Sequence, residues 1–266
     1  MYKTFSSAVN WTQGLPESGT TTVVCGDIEA DGSVLVPHFV QSALQETPGS
    51  GAVVVLVSLT QTMSHYMHIM RKMGVNLARQ PGFQFVDALT SAGVGLAGSE
   101  LVAAATRPHF AVADRADWSG FFRWLAHSQP PGCTVVVDGL CSLLDQGFGC
   151  AFVVNFVDTC RRIIEAKAAQ NTGAARLVAT LFLDDFSEAL ARSLIRRSHY
   201  FLSFEALASG SSTEVAGQLT VVPGHLFCHI QEEEQSAAKF KPALLHYRVS
   251  DTTVEFFSPG QSRMVL

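Results

Sequence analysis

The sequence has few charged residues and no long apolar run. Only 15% of its 266 residues are Asp, Glu, Lys or Arg, whereas 47% are hydrophobic. A membrane-spanning helix needs about 20 consecutive apolar residues, and the longest run here ends at Ser58, Thr60 and Gln61. We therefore expect no membrane partner, and so much apolar surface with so little charge predicts contacts with other subunits.

The chain also lacks the cysteine pattern of a disulfide framework or a zinc site. Its six cysteines include no C-x-x-C pair and no signature of a catalytic cysteine, so we expect no metal and no cofactor. The start, MYKTFSSAVNWTQG, has no apolar core of a secretory signal. This predicts an intracellular protein, and we expect it in the cytoplasm, with the nucleus as a second location. A net charge of −5 argues against a polycation that coats nucleic acid, although it leaves a local basic patch open.

The most informative motif is a phosphate-binding loop without its lysine. Residues 26–33 read GDIEADGS, which keeps the first Gly and last Ser of G-x-x-x-x-G-K-[ST]. Asp27 and Glu29 add negative charge where a polyanion would have to bind. The sequence thus predicts a degenerate phosphate loop that does not bind nucleotide in the usual way, at Gly26, Asp31, Gly32 and Ser33. Gly32 stands in the place of the lysine, and an ordinary acidic turn is the alternative.

The flanks of this loop fit a strand and a helix. Residues 20–25 form a short β-branched run, and residues 34–44 return apolar side chains at helical spacing. Pro37 lies in the first helical turns and lacks a backbone N–H, so it predicts that the helix begins late or bends.

Apolar runs and helical segments alternate along most of the chain. The runs are at residues 51–59, 83–89, 133–140, 175–185 and 199–207, and the helical patterns at 63–73, 117–127, 151–169 and 186–197. This alternation predicts an α/β fold with a parallel sheet between helices. Short runs at 217–222, 225–230, 244–249 and 254–257 predict antiparallel hairpins at one edge. We expect a single domain over residues 1–266, and residues 88–108 fit either a helix or a loop.

Asp138 follows the apolar run VVV at residues 135–137, where nucleotide hydrolases place a magnesium-binding Asp. An Asp at the end of a strand is also a good turn residue, and the missing lysine favours this structural role. Asp87 and Asp185 end strands as well. No catalytic residue is predicted.

Two basic groups lie on predicted helices. Arg192, Arg196 and Arg197 share one helix face by their i, i+4, i+5 spacing. A second group on the helix at residues 151–169 consists of Arg161, Arg162 and Lys167. Such groups are usually solvated helix faces, and contact with nucleic acid is the alternative.

Several segments together resemble the family of the sixth Elongator subunit. They are DGS at 31–33, SHY at 64–66 followed by MGVNL, VVVDGLCSLLDQGFG at 135–149, GQLTV at 217–221 and VEFFSPG at 254–260. Their order and spacing match along nearly the whole chain. Pro37 and a divergent N-terminal segment, residues 1–19, depart from the family.

The resemblance implies a RecA-like fold without ATPase signatures. It also implies assembly with the fourth and fifth Elongator subunits into a hetero-hexameric ring, which binds tRNA and supports modification of wobble uridines by the catalytic Elongator subcomplex. By analogy with RecA-like rings, the arginines after Asp184 are then the better RNA candidates. Two alternatives remain open, namely an active RecA-like NTPase with an unusual phosphate loop and a RecA-like adaptor of another assembly.

Overall fold

In the part of the chain that the structure describes, nine strands form one sheet. The computed structural model describes residues 5, 9, 11, 14–46, 53–89, 115–170, 173–207, 215–227, 242–250 and 253–260. The strands are β1 (Thr21–Gly26), β2 (Val53–Ser58), β3 (Phe83–Asp87), β4 (Cys133–Asp138), β5 (Arg176–Phe182), β6 (Tyr200–Glu205), β7 (Gly217–Pro223), β8 (Ala243–Val249) and β9 (Val254–Phe257). Their order is β3-β2-β4-β5-β1-β6-β7-β8-β9.

The sheet is mostly parallel. The first six strands in this sheet order, β3 through β6, pair in parallel with their neighbours. The remaining neighbours, from β6 to β9, form antiparallel pairs. The predicted α/β class is confirmed, with antiparallel strands after a parallel sheet. One predicted hairpin strand is wrong in its described part: residues 225–227 are helical, and Phe227 N–H donates to Gly224 O in a tight turn. Residues 228–230 lie outside the described residues, as do residues 90–108.

Six described helices cover the two faces of the sheet. They are α1 (Val36–Glu46), α2 (Met63–Lys72), α3 (Arg115–His127), α4 (Cys141–Asp145), α5 (Cys150–Ala168) and α6 (Glu188–Ile195). Side chains alternate along a strand, so Val136 packs with α1 and α2 on one face. Val135 and Val137 pack with α3, α5 and α6 on the other. None of the described helices is long and apolar enough to cross a membrane.

The late helix start predicted from Pro37 is confirmed. A 3-10 turn at Gly32–Leu35 comes first, and α1 begins at Val36. Pro37 is then the second residue of the helix, where a backbone N–H would have no partner within the helix.

The N-terminal segment contributes to the core on the α1 face. Phe5 and Trp11 are buried, and the two rings meet edge to face with centroids 5.5 Å apart. Trp11 also lies edge-on to Tyr200 of β6, with 5.2 Å between centroids. A substitution at Phe5 or Trp11 would therefore affect core packing as well as the surface.

Candidate functional site

The candidate site lies at the carboxyl ends of β4, β5 and β1, which are adjacent strands. The carboxyl edge of a parallel sheet is where α/β proteins commonly bind ligands. Leu183, just after β5, donates its N–H to Gly26 O across 2.7 Å. Gly139, just after β4, donates its N–H to Thr180 Oγ1 across 2.8 Å. The three loops are thus tied into one surface.

The loop at residues 26–33 is closed by its own carboxylates. Asp27 Oδ1 accepts the N–H groups of Glu29 and Ala30 at 2.9 and 2.8 Å. Asp31 Oδ1 accepts Ser33 N–H at 2.8 Å, and Asp31 Oδ2 accepts the Ser33 hydroxyl at 2.6 Å. In a phosphate-binding loop such amide and hydroxyl groups point at the ligand. Here side-chain carboxylates of the loop occupy them.

Two glycines allow the loop to fold back on β1. A Cβ on Gly26 would lie 2.3 Å from Gly32 N and 2.4 Å from Ala30 O, closer than any side chain can pack. A Cβ on Gly32 would lie 3.0 Å from Val24 Cγ1. The position where a phosphate-binding lysine would stand is therefore packed against the strand.

Asp138 is a buried carboxylate with three hydroxyl donors. It is 2% exposed. Its Oδ1 accepts from Thr180 Oγ1 at 2.6 Å, while its Oδ2 accepts from Thr60 Oγ1 at 3.0 Å and from the Tyr66 hydroxyl. The pKa of Tyr66 is raised mainly by burial and, to a smaller extent, by the neighbouring Asp138. The phenol therefore stays protonated and remains a hydrogen-bond donor.

No sequence pattern predicted these three hydroxyl donors. Tyr66 and Thr180 lie 72 and 42 residues from Asp138 along the chain, and only the strand order brings them together. No group of three or more potential metal ligands occurs among the described residues.

A cavity of about 610 Å³ opens between the loop, α2 and the turn between β8 and β9. Asp27 and Asp31 lie on one wall, and His65 and Lys72 of α2 lie on another. Val254 of β9 contributes apolar surface. The cavity is thus acidic on the loop side and basic on the α2 side.

Large apolar side chains are exposed at the same edge of the sheet. Ile28 of the loop is 88% exposed, and Phe186, in the turn after β5, is 86% exposed. Phe182, at the end of β5, is also exposed. Exposed apolar side chains that lie close together are typical of protein interfaces.

The arginines predicted as RNA contacts lie at the end of α6, and their charges are partly balanced. Arg192 Nη2 forms an ion pair with Glu188 Oε1 one turn earlier. Arg196 and Arg197 follow the last residue of α6 and are exposed, and Arg197 Nη1 donates to Ser193 O at 3.2 Å.

The second basic group is largely neutralised within the helix. Arg161 pairs with Asp158 and Glu165, and Arg162 also pairs with Asp158. Lys167 is buried, and its Nζ donates to Ala126 O and Gln129 O at 3.2 and 2.6 Å. The prediction of a solvated face is wrong for Lys167, because this lysine binds the carbonyls at the end of α3.

Fold and site together define an α/β protein with a closed, acidic loop at the carboxyl edge of its sheet. A family model described as Elongation complex protein 6 matches residues 2–251. The chain belongs to this family. It is similar to Elongator complex protein 6 of Xenopus laevis, at 29% identity over the full length of both chains. The protein of that name from Xenopus tropicalis is 30% identical to this chain over 94% of each chain. The one from Homo sapiens is 27% identical over the full length of both chains.

Proposed function

We propose that this chain is a non-catalytic subunit of the Elongator complex. In this proposal a RecA-like domain over residues 1–266 joins the fourth and fifth subunits in a hetero-hexameric ring. That ring binds tRNA and supports modification of wobble uridines by the catalytic subcomplex, in the cytoplasm and also in the nucleus. Support comes from the family match over residues 2–251 and from full-length relatives named Elongator complex protein 6.

The observation that carries the non-catalytic role is the set of hydrogen bonds inside the loop. The N–H groups of Glu29, Ala30 and Ser33 are bound by carboxylates of Asp27 and Asp31. A nucleotide phosphate would have to displace these carboxylates and would then lie beside them. Each pair of like charges about 4 Å apart costs on the order of 1 to 4 kcal/mol near a protein surface. No lysine of the loop offsets that cost, since Gly32 stands in its place.

Exposed apolar residues support the proposed role as a ring subunit. Ile28 lies on the loop that follows β1, Phe182 ends β5, and Phe186 lies in the turn after β5. The hydrogen bond from Leu183 N–H to Gly26 O joins these two segments. A partner that covers this edge would remove apolar surface from water, at about 25 cal/mol for each Å². Co-purification of the tagged chain followed by mass spectrometry tests the assembly. Recovery of a different set of partners would favour an adaptor of another assembly.

Nucleotide binding is tested by the thermal stability of the full-length chain with ATP and magnesium. A ligand at 100 times its Kd stabilises a protein by about 2.7 kcal/mol, which raises the Tm of a chain of this size by roughly 5 to 10 °C. We expect no magnesium-dependent rise, either for the parent or for Gly32→Lys, whose Cβ would crowd Val24. A rise for the parent chain would favour the active NTPase.

A further inference from the structure

The longest stretch of this acidic chain without a carboxylate contains three cations. Between Glu46 and Asp87 the sequence has no Asp or Glu, yet it contains Arg71, Lys72 and Arg79. The whole chain has a net charge of −5. This stretch, which forms β2, α2 and the first part of β3, is therefore a local region of positive charge in a negative protein.

The structure places the basic residues of this stretch on α2 and on a turn that packs against it. Tyr66 and Met70 are buried beneath helix α2. The basic residues of the helix, His65, His68, Arg71 and Lys72, are exposed. The helix ends at Lys72. Gly74, just after it, has φ +81°, and Val75 N–H donates back to Met70 O at 2.8 Å. This C-terminal cap reverses the chain, so the following 3-10 turn, Leu77–Arg79, packs against α2. The α2 basic patch consists of His65, His68, Arg71, Lys72 and Arg79.

The cations of the α2 basic patch have no carboxylate partner within the described part of the chain. Arg71, Lys72 and Arg79 are exposed and form no ion pair there. Most other described arginines pair with a carboxylate, namely Arg161, Arg162, Arg176, Arg192 and Arg248. The patch thus presents positive charge that forms no ion pair with the described part of the protein, although Asp27 and Asp31 lie on the facing wall of the cavity that Lys72 lines.

Helix stability explains only part of this arrangement. Arg71 and Lys72 lie in the last turn of α2, where the helix dipole favours cations by about 0.3 to 1 kcal/mol. Arg79 lies outside the helix, and His65 lies in its first turn, where the dipole disfavours positive charge. The dipole also gives no reason for the absence of carboxylates from the whole stretch.

The surface chemistry favours a phosphate backbone over a protein partner. Protein interfaces have an apolar centre with aromatic or aliphatic anchors. The exposed large apolar residues of the described chain are Ile28, Phe182, Phe186, Leu244 and Val249, and none of them lies on α2. Several exposed cations on α2 and the following turn match the regular negative charge of a nucleic-acid backbone.

We infer that the α2 basic patch binds the phosphodiester backbone of RNA. This inference rests on the proposed function, because it locates an RNA contact within the proposed ring. The contact is independent of sequence, since phosphate contacts position RNA without reading its bases. It adds to the predicted contacts at the end of α6, because α2 and α6 lie on opposite faces of the sheet.

A pair of matched variants tests the inference. The patch variant is Arg71→Gln/Lys72→Gln/Arg79→Gln, and the control variant is Arg123→Gln/Arg162→Gln/Arg248→Gln. Each removes three positive charges from this subunit, so overall charge changes equally. Binding of unfractionated tRNA to the assembled complex is measured across a salt series, and light scattering checks that each complex is intact.

We expect the patch variant to lose affinity by on the order of tenfold for each lost contact at about 0.1 M salt. Two to three lost contacts should flatten the plot of log affinity against log salt by roughly 1.4 to 2.7. The control complex should bind like the parent. Equal losses in both variants, no loss in either, or dissociation of the patch complex alone would overturn the inference. If the parent complex bound no tRNA, the proposed function itself would fail.

Discussion

The environment of Asp138 yields a quantitative prediction for Tyr66→Phe. The substitution keeps the buried ring and removes only the hydroxyl that donates to Asp138 Oδ2. Thr60 Oγ1, at 3.0 Å, would remain as the donor to that oxygen. A hydrogen bond to a charged group contributes about 1.5 to 3 kcal/mol. We therefore expect a loss of about 2 kcal/mol in the stability of the segments around Asp138.

Hydrogen–deuterium exchange measured by mass spectrometry gives the exchange rates of peptides from this chain, whether the chain is alone or in a complex. A loss of about 2 kcal/mol raises the population of the open state by up to about 30-fold. We expect exchange in β4 and in the start of α2 to accelerate by that factor. The matched control is Tyr200→Phe on β6, which removes the hydroxyl that donates to Glu17. This substitution should leave the exchange rates of β4 and α2 unchanged.

The same experiment separates a structural carboxylate from a magnesium ligand. If Asp138 held magnesium, removing a competing donor would leave the metal site intact, and magnesium alone would slow exchange in β4. Slower exchange with magnesium, or unchanged exchange in Tyr66→Phe, would refute the structural role of this carboxylate.

Three further predictions concern acid stability, assembly and RNA. Burial lowers the pKa of His38 and His199 from 6.5 to about 4. The unfolded chain then binds more protons below pH 6.5, so the unfolding free energy should fall by on the order of 3 kcal/mol per histidine towards pH 4; a urea midpoint that did not change with pH would contradict this. Expressed alone, the chain should self-associate, and co-expression with its partners should give a discrete complex by light scattering; a stable monomer would argue for a free-standing function. Arg196→Glu/Arg197→Glu should weaken tRNA binding by the intact complex and flatten the salt dependence by roughly 0.7 to 0.9 per lost contact; unchanged affinity and slope would show a solvated helix end.

Local sequence patterns predicted the elements well where burial and periodicity agreed. The apolar run that contains Val135 became a strand covered on both faces, since helices pack against each side of the sheet. Pro37 correctly placed the start of α1, because its missing N–H restricts it to the first turn. The strand predicted at residues 225–227 is wrong because an apolar run of that length fits either a strand or a helical turn.

The site was less predictable than the fold because its contacts are distant in sequence. Asp138 and the acidic loop were found from their places after apolar runs. The hydroxyls of Thr60, Tyr66 and Thr180 were not, since their relation to Asp138 depends on strand order. Lys167 was misplaced for a similar reason, because its partners lie at the end of another helix. The absence of carboxylates between Glu46 and Asp87, by contrast, could have been read directly from the sequence.

The carboxylates that close the loop also determine whether the loop can change conformation in response to a nucleotide. A loop that depends on a bound phosphate changes shape when the phosphate is hydrolysed and leaves. The anions of this loop are Asp27 and Asp31, which are covalently part of the chain and cannot depart. In the proposed ring, a partner that covers this edge would therefore meet the same loop surface with or without nucleotide. Shape changes that order the steps of such an assembly would have to come from another subunit or from the substrate.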